Sequence, residues 1–316
     1  MSEFETKPLD RYSYSKISTY KQCKFKFKLR YLDKNFIFND TIATNFGTLI
    51  HQTEEIIAQN IQKNEPINYI SLKNNFIIES KKLAHKYPIE FFNKDKSGKT
   101  YQEKVYIYLE HGIYRLESFM KQHPELQIIG IEQNFEYNYD GVHSFTGSID
   151  RAFIDINTGE LLIQDVKSWP VPAKDSELKA PLQFAIYMMA AHELWNIPVE
   201  KIKCEYDLPL CNMTQPALSN DIVGEGRKEL NKLFDGIQAN NFKPSVTALC
   251  HWCEFNPLNN PSILDTKPNA ICPYFSTWQK SGDNVKGTLV NWQGLENVLI
   301  DRQFCVSQLK QQNMTS

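Results

Sequence analysis

The chain has 316 residues, 41% hydrophobic and 23% charged, which is the make-up of a folded globular protein long enough for one large domain or two small ones. Lys plus Arg (35) and Asp plus Glu (37) leave a net charge of −2, which excludes a global positive field, so any contact with nucleic acid must come from local patches. The polar start MSEFETKPLDRYSYS and the lack of an apolar run of about 18 residues give no expectation of a secretory signal or a membrane span, and seven irregularly spaced cysteines fit reduced thiols or a metal site in a cytoplasmic protein.

In chain order, YSYSKISTYKQCKFKFKLRYLDKNF reads as one helix, with Ser15 or Ser18 as its N-cap and Tyr20, Phe27 and Tyr31 near helical spacing. Every charge from Arg11 to Leu32 is positive. A second helix is expected after Gly47, in TLIHQTEEIIAQNIQ, and residues 66–122 read as helical with breaks. Val105, Leu109, Ile113, Leu116 and Met120 keep a 3–4 spacing, and Pro124 is the stop. The texture then turns to strands, IIGIEQNFEYNY, SFTGSIDRAFIDI and ELLIQDVKSW, punctuated by Asp140-Gly141 and Asn157-Thr158-Gly159 as hairpin turns. PLQFAIYMMAAHELW is a helix with Pro181 in its first turn, KIKCEYDLPL a further strand, and DIVGEGRKELNKLFDGIQAN a late helix. The expected fold is α/β, a small sheet flanked by helices with helical elaborations. The whole chain, 1–316, is read as one domain. Residues 13–50 form a basic N-terminal helical part with the first cysteine, 51–125 a helical region, and 126–210 the core. Residues 211–280 hold the late helix and the cysteine cluster, and 281–316 are a tail.

The hairpin carries charge where an apolar strand would not want it. Asp165 and Lys167 are two apart, so they share a face, and counting back from the turn puts Asp150 opposite residues 165–167. Two carboxylates on strands about 4.8 Å apart can share Mg²⁺, which prefers oxygen ligands, and a lysine beside them can orient water and offset phosphate charge. Taken alone, D-x-K is equally an ion pair on an exposed strand. Glu132 on the preceding strand is a further candidate acid, and His51 in FGTLIHQTEEII is a candidate ligand. Gln183 and Tyr187, four apart on an otherwise apolar helix, form a polar pair that needs partners.

In this order the pieces resemble the RecB-like branch of the PD-(D/E)XK nucleases. They are G-x-x-x-H (Gly47 to His51), the upstream acid Glu132, G-x-I-D (Gly147 to Asp150), D-V-K (Asp165 to Lys167) and Q-x-x-x-Y (Gln183 to Tyr187), and the likeness runs from about residue 13 to about 275. The resemblance implies a restriction-endonuclease-like core, a central mixed sheet flanked by helices, and Mg²⁺- or Mn²⁺-dependent DNA cleavage. It implies that His51, Asp150, Asp165 and the Val166 backbone carbonyl bind metal and that Lys167 is catalytic, with Glu132 as a further acid and Gln183 and Tyr187 organising the site or the DNA.

Cys250 and Cys253 form C-x2-C, Cys272 follows 19 positions later, and Cys23 lies far upstream. Four such thiolates suit a 4Fe-4S cluster or Zn²⁺. The resemblance extends to an iron–sulfur exonuclease subgroup that includes the AddB helicase–nucleases and CRISPR-associated adaptation nucleases, with one cysteine before the core and three after it. It implies a 4Fe-4S cluster on Cys23, Cys250, Cys253 and Cys272 in a subdomain joining the two ends of the chain. Two departures are the insertion NPLNNPSILDTKPNAI before the last cysteine, and Lys24 where the family commonly has proline. Cys204, Cys211 and Cys305 stand outside this set as ordinary thiols. Lys16, Lys21, Lys24, Lys28 and Arg30, interleaved with aromatics, are the candidate DNA contacts, the equal reading being the solvated face of an amphipathic helix, with most of the aromatics in the core. The expectation is a DNA exonuclease acting on single strands or ends, in recombination, repair or phage DNA metabolism, beside a helicase or recombination partner in a bacterial cell or phage-infected host. The alternatives are a catalytically silent DNA-binding scaffold and a structure-specific endonuclease.

Overall fold

The computed structural model describes residues 11–37, 40–179, 181–245, 247–257, 260, 262–267, 270–272, 276–279 and 286–289. In chain order these hold β1 (Arg11–Tyr12), α1 (Tyr14–Gln22), α2 (Lys24–Phe27), α3 (Ile42–Gln62), α4 (Tyr69–Lys86), α5 (Pro88–Phe92), α6 (Tyr101–Glu110), α7 (Arg115–Gln122), β2 (Leu126–Asn138), β3 (Ser144–Asp155), β4 (Leu161–Val166), α8 (Asp175–Leu178), α9 (Leu182–Trp195), β5 (Ile202–Leu208), β6 (Met213–Pro216), α10 (Ile222–Gln238), α11 (Ile263–Thr266), β7 (Ser276–Gln279) and β8 (Lys286–Leu289). No helix among the described residues is long and apolar enough to cross a membrane. The chain divides into two compact units, one of residues 10–14 and 40–231, the other built around residues 15–39 and 232 onward.

The first unit holds the expected mixed sheet. β2 and β3 pair antiparallel from Leu126 opposite Asp155 to Asn138 opposite Ser144. β3 also pairs in parallel with β1 and antiparallel with β4, where Arg151 faces Gln164. β4 and β5 run parallel, joined through α8 and α9, and β6 closes the sheet antiparallel. Both hairpin turns form as the sequence suggests. At the second, Gly159 takes φ 68°, and Asp155 Oδ1 accepts from the N–H groups of Asn157 and Thr158.

Helices α3 to α7 bury Phe46, Ile50, Ile57, Phe76, Tyr108 and Leu116 against Ile128, Phe153 and Val166 of the sheet. α9 buries ten of its fourteen residues, so it is apolar nearly all round and must be a core helix. α3 begins at Ile42, earlier than expected after Gly47. The Thr41 hydroxyl caps it by accepting from Thr44 N at 3.2 Å, and Gly47 is carried inside the helix at about 1 kcal/mol.

In the second unit, the single helix expected over 12–36 is broken at Cys23. That residue is extended (φ −156°, ψ 111°), and its sulfur accepts from Lys26 N as the N-cap of α2. α2 continues as a π-helical turn over Lys28–Leu32. Leu29, Phe255, Ile263 and Ala270 form a small buried core of their own.

Gly147 has a packing reason. It faces Phe135 across the β2–β3 ladder, and a Cβ there would sit 2.7 Å from Phe135 Cζ. The Phe135 ring in turn stands edge-on to Tyr187, with centroids 6.0 Å apart. Gly147→Ala is therefore expected to cost about 1–3 kcal/mol, read by urea unfolding followed by circular dichroism. An unchanged midpoint would show that the ring moves aside freely.

Candidate active site

Five elements deliver seven polar side chains to one end of the sheet. α3 supplies His51, β2 supplies Glu132, β3 supplies Asp150, β4 and the residue after it supply Asp165 and Lys167, and α9 supplies Gln183 and Tyr187. Continuing the β3–β4 register by one residue puts Asp150 opposite Asp165, and the Asp150 carboxylate accepts from Val166 N at 2.7 Å. Glu132 takes φ 42° in the middle of β2. That left-handed backbone is costly for a non-glycine residue in a strand, and such strain clusters at functional sites.

Two subsets meet here. His51 Nδ1 lies 3.6 Å from Asp150 Oδ2 and 3.7 Å from Glu132 Oε1, and Glu132 also accepts from the Ser148 hydroxyl at 3.2 Å. On the other side Lys167 Nζ stands 2.5 Å from Asp165 Oδ2 and 3.3 Å from Gln183 Oε1. The Gln183 amide donates to Asp165 Oδ1 at 3.0 Å and to Tyr187 Oη at 2.9 Å. The polar pair on α9 thus has its partners.

The electrostatics follow from burial of like charge. Asp150 is pushed up to about 7, by burial first and by the charge of Asp165 second. Burial also raises Asp165, against the pull of Lys167. Glu132 is lowered, chiefly through its contact with His51. Burial pulls His51 down, but Glu132 and Asp150 outweigh it and leave the imidazole raised. Lys167 likewise ends above its ordinary value because Asp165 outweighs desolvation, so it stays protonated. Tyr187 is raised by burial and by both aspartates, so it stays neutral.

The residues fit a hard divalent cation. Ligand atoms of His51, Glu132 and Asp150 all lie within 4.8 Å of one another, the one such group of three or more among the described residues. Two carboxylates and an imidazole are donors for Mg²⁺ or Mn²⁺. His51 and Glu132 open onto a cavity of about 760 Å³ whose wall also includes Thr44, Thr48, Gln52, Glu55, Asn134 and Ser148.

Every residue named on sequence grounds for this site is brought to it. Glu132, expected as a further acid, stands in the trio with His51 and Asp150, while Asp165 is engaged by Lys167 and Gln183. Sequence reading missed Ser148, Tyr206 (its ring centroid 5.8 Å from Lys167 Nζ) and the buried ions Glu54, Arg151 and Asp207. Arg151 and Asp207 had a signal, a charge inside an apolar strand, that was passed over.

In the second unit Cys23, Cys250, Cys253 and Cys272 all line one cavity of about 100 Å³, with Phe25, Leu29 and Phe255 in its wall. The N–H groups of Lys26 and Ser245 point at Cys23 Sγ, each at 3.5 Å, and Thr247 N points at Cys250 Sγ at 3.4 Å. Burial pushes Cys253 up to about 11. Cys204 is buried on β5 and Cys211 donates to the Trp169 carbonyl, while Cys305 lies outside the described residues. Of the expected DNA contacts, Lys28 pairs with Asp33 at 2.9 Å and Arg30 with the buried Glu254 at 3.0 Å. Lys16 and Lys24 stand over the rings of Tyr31 and Tyr20, and Lys21 is exposed. Tyr20 and Phe27 are core residues, as expected.

The family model of the PD-(D/E)XK nuclease superfamily matches residues 11–258. A search of curated proteins gave no match.

Asp150 carries a pH prediction. Its folded value of about 7 lies above the ordinary 3.8, so the metal-free folded state keeps the proton longer than the unfolded chain. Its contribution to stability is then full below about pH 4 and is lost as pH rises through 7. Metal-free Asp150→Asn should therefore gain melting temperature over wild type progressively between about pH 4 and 7, read by calorimetry. A difference independent of pH would remove the argument.

Proposed function

This chain belongs to the PD-(D/E)XK nuclease superfamily, a family of metal-dependent nucleases, and from that premise we propose that it is a DNA exonuclease acting on single strands or duplex ends. The observation that carries the reading is the meeting of the His51–Glu132–Asp150 trio with the Asp165–Lys167–Gln183 set at one end of the sheet. In this reading the trio, together with Asp165 and the Val166 carbonyl, holds Mg²⁺ or Mn²⁺. The bound ion supplies Lewis acidity at the scissile phosphate and acidifies a water.

The chain's own residues do the rest. Lys167 keeps its proton at Nζ and offers it as a donor to a phosphate oxygen or to the attacking water, held in line by Asp165 and Gln183. Tyr187 stays neutral and fixes the Gln183 amide. The neutral hydroxyls and amides of Thr44, Thr48, Gln52 and Asn134 give a phosphate backbone partners along the cavity wall. The full set of acids and the lysine favours turnover over a silent scaffold. Lys16, Lys21 and Lys24 are read as auxiliary contacts to DNA. Lys28 and Arg30 bring less, since acids already hold them.

For the cysteines the reading is a structural 4Fe-4S cluster, with both units as parts of one nuclease domain. Backbone N–H groups aimed at Cys23 and Cys250 suit thiolate ligands. Tetrahedral zinc on the same four sulfurs is the alternative occupant. The protein is read as cytoplasmic, working on DNA in recombination, repair or phage metabolism beside a helicase or recombination protein.

The test is cleavage of 5′- and 3′-labelled single- and double-stranded DNA by anaerobically purified protein, with Mg²⁺ or with EDTA. Progressive shortening is expected, abolished by EDTA and lowered about 10²- to 10⁴-fold in Asp165→Ala and Lys167→Ala. Cleavage of circular single strands would show an endonuclease instead, and binding without turnover would show a scaffold. A second outcome concerns the cysteines: a brown visible absorbance that Cys250→Ser bleaches. A colourless protein bearing stoichiometric zinc would overturn the cluster.

A further inference from the structure

A second charged set lies in the first unit, and the proposed chemistry does not use it. Glu54 on α3, Arg151 on β3 and Asp207 on β5 are each about 2% exposed. Arg151 Nη1 donates to Glu54 Oε2 at 3.0 Å, and Arg151 Nη2 donates to Asp207 Oδ2. Tyr108 of α6 donates to Glu54 Oε1 at 2.8 Å, and Arg115 of α7 donates to Asp207 Oδ1. Two acids face two guanidinium groups, and burial pushes Glu54 up to about 7 despite Arg151 beside it.

Its members sit close to site residues along the chain or through a hydrogen bond. Glu54 is three residues after His51 on α3, so the two lie on neighbouring parts of one helix face. Arg151 follows Asp150 directly. Asp207 accepts Lys167 N at its main-chain carbonyl, at 2.9 Å, just past the end of β4. The fork of Arg151 therefore spans the helix that carries His51, the strand that carries Asp150 and the strand that anchors Lys167.

As glue this arrangement is poor. Removing four charges from water costs several kcal/mol per ion, and well-packed apolar side chains of equal volume commonly serve stability as well or better. Among the described residues the buried Nε–H of Arg151 has no hydrogen-bond acceptor. What an arginine fork does provide is direction, since its planar donors fix two carboxylates in angle as well as distance.

We infer that Glu54, Arg151 and Asp207 are positioning residues, a buried charge link that sets His51 and Asp150 in register with Lys167 for cation binding. The inference rests on the nuclease reading above and deepens it.

The test separates positioning from stability. Glu54→Gln keeps the shape of the side chain, and Glu54→Gln/Arg151→Met removes the link while leaving the Arg115–Asp207 pair. Three quantities are read: melting temperature, Mn²⁺ affinity by paramagnetic resonance titration without DNA, and kcat against KM. The double variant should melt at or above the wild-type temperature yet bind Mn²⁺ about tenfold more weakly, with kcat reduced and KM for DNA unchanged. Glu54→Gln should shift affinity in the same direction by less, and it carries the test alone if the double variant does not fold. Wild-type Mn²⁺ affinity and kcat in a folded variant would overturn the inference. Wild-type protein that neither binds Mn²⁺ nor cuts DNA would instead remove the nuclease reading beneath it.

Discussion

Asp150 and Asp165 stand opposite each other on paired strands, both almost fully buried, and neither can hold a full negative charge there without a positive neighbour. Much of the surrounding structure answers that constraint. Lys167 and the Gln183 amide compensate Asp165, Val166 N and His51 compensate Asp150, and Glu132 shares His51. The compensation is incomplete, since Asp150 remains raised to about 7. A carboxylate kept in that state is costly to the metal-free fold and useful to a cation, so the site trades stability for binding.

Around this centre the fold supplies rigidity by different means on each side. The α9 helix, buried almost all round, holds Gln183 and Tyr187 at fixed height, and Phe135 packed on Gly147 supports the Tyr187 ring. The α3 helix brings His51 in from a separate layer and is fastened through Glu54 to Arg151 on β3, the strand that carries Asp150, and onward to Asp207 on β5. A site whose ligands come from several elements needs such ties, because small misplacements cost binding steeply.

The cysteine-lined cavity uses long-range closure. Ser245 N reaches Cys23 Sγ across 222 residues of sequence. Buried Glu254, next to Cys253, is held by Lys26 and Arg30 from the segment that follows Cys23. Lys26 and Arg30 are therefore in part internal. A contact joining such distant segments restrains the unfolded chain more than a local one does, though the gain grows only slowly with loop length.

The sequence by itself determined what depends on residue type and short spacing. The alternation around the Asn157-Thr158-Gly159 turn located the hairpin, the i, i+2 relation of Asp165 and Lys167 put them on one face, and the polar Gln183–Tyr187 pair on an apolar helix marked a site. The tertiary structure alone decided what depends on register, strain and distant partners. Glu132 takes a positive φ and meets His51, and no local propensity predicts either. Cys23 breaks its helix because its sulfur caps the next turn, so an expected run of periodic residues is divided. Arg151 and Asp207 are buried ions whose partners lie 97 and 56 residues from Arg151, so only folding could reveal what they hold. Periodicity reports which face a side chain takes; which charge meets it there is a property of the packed chain.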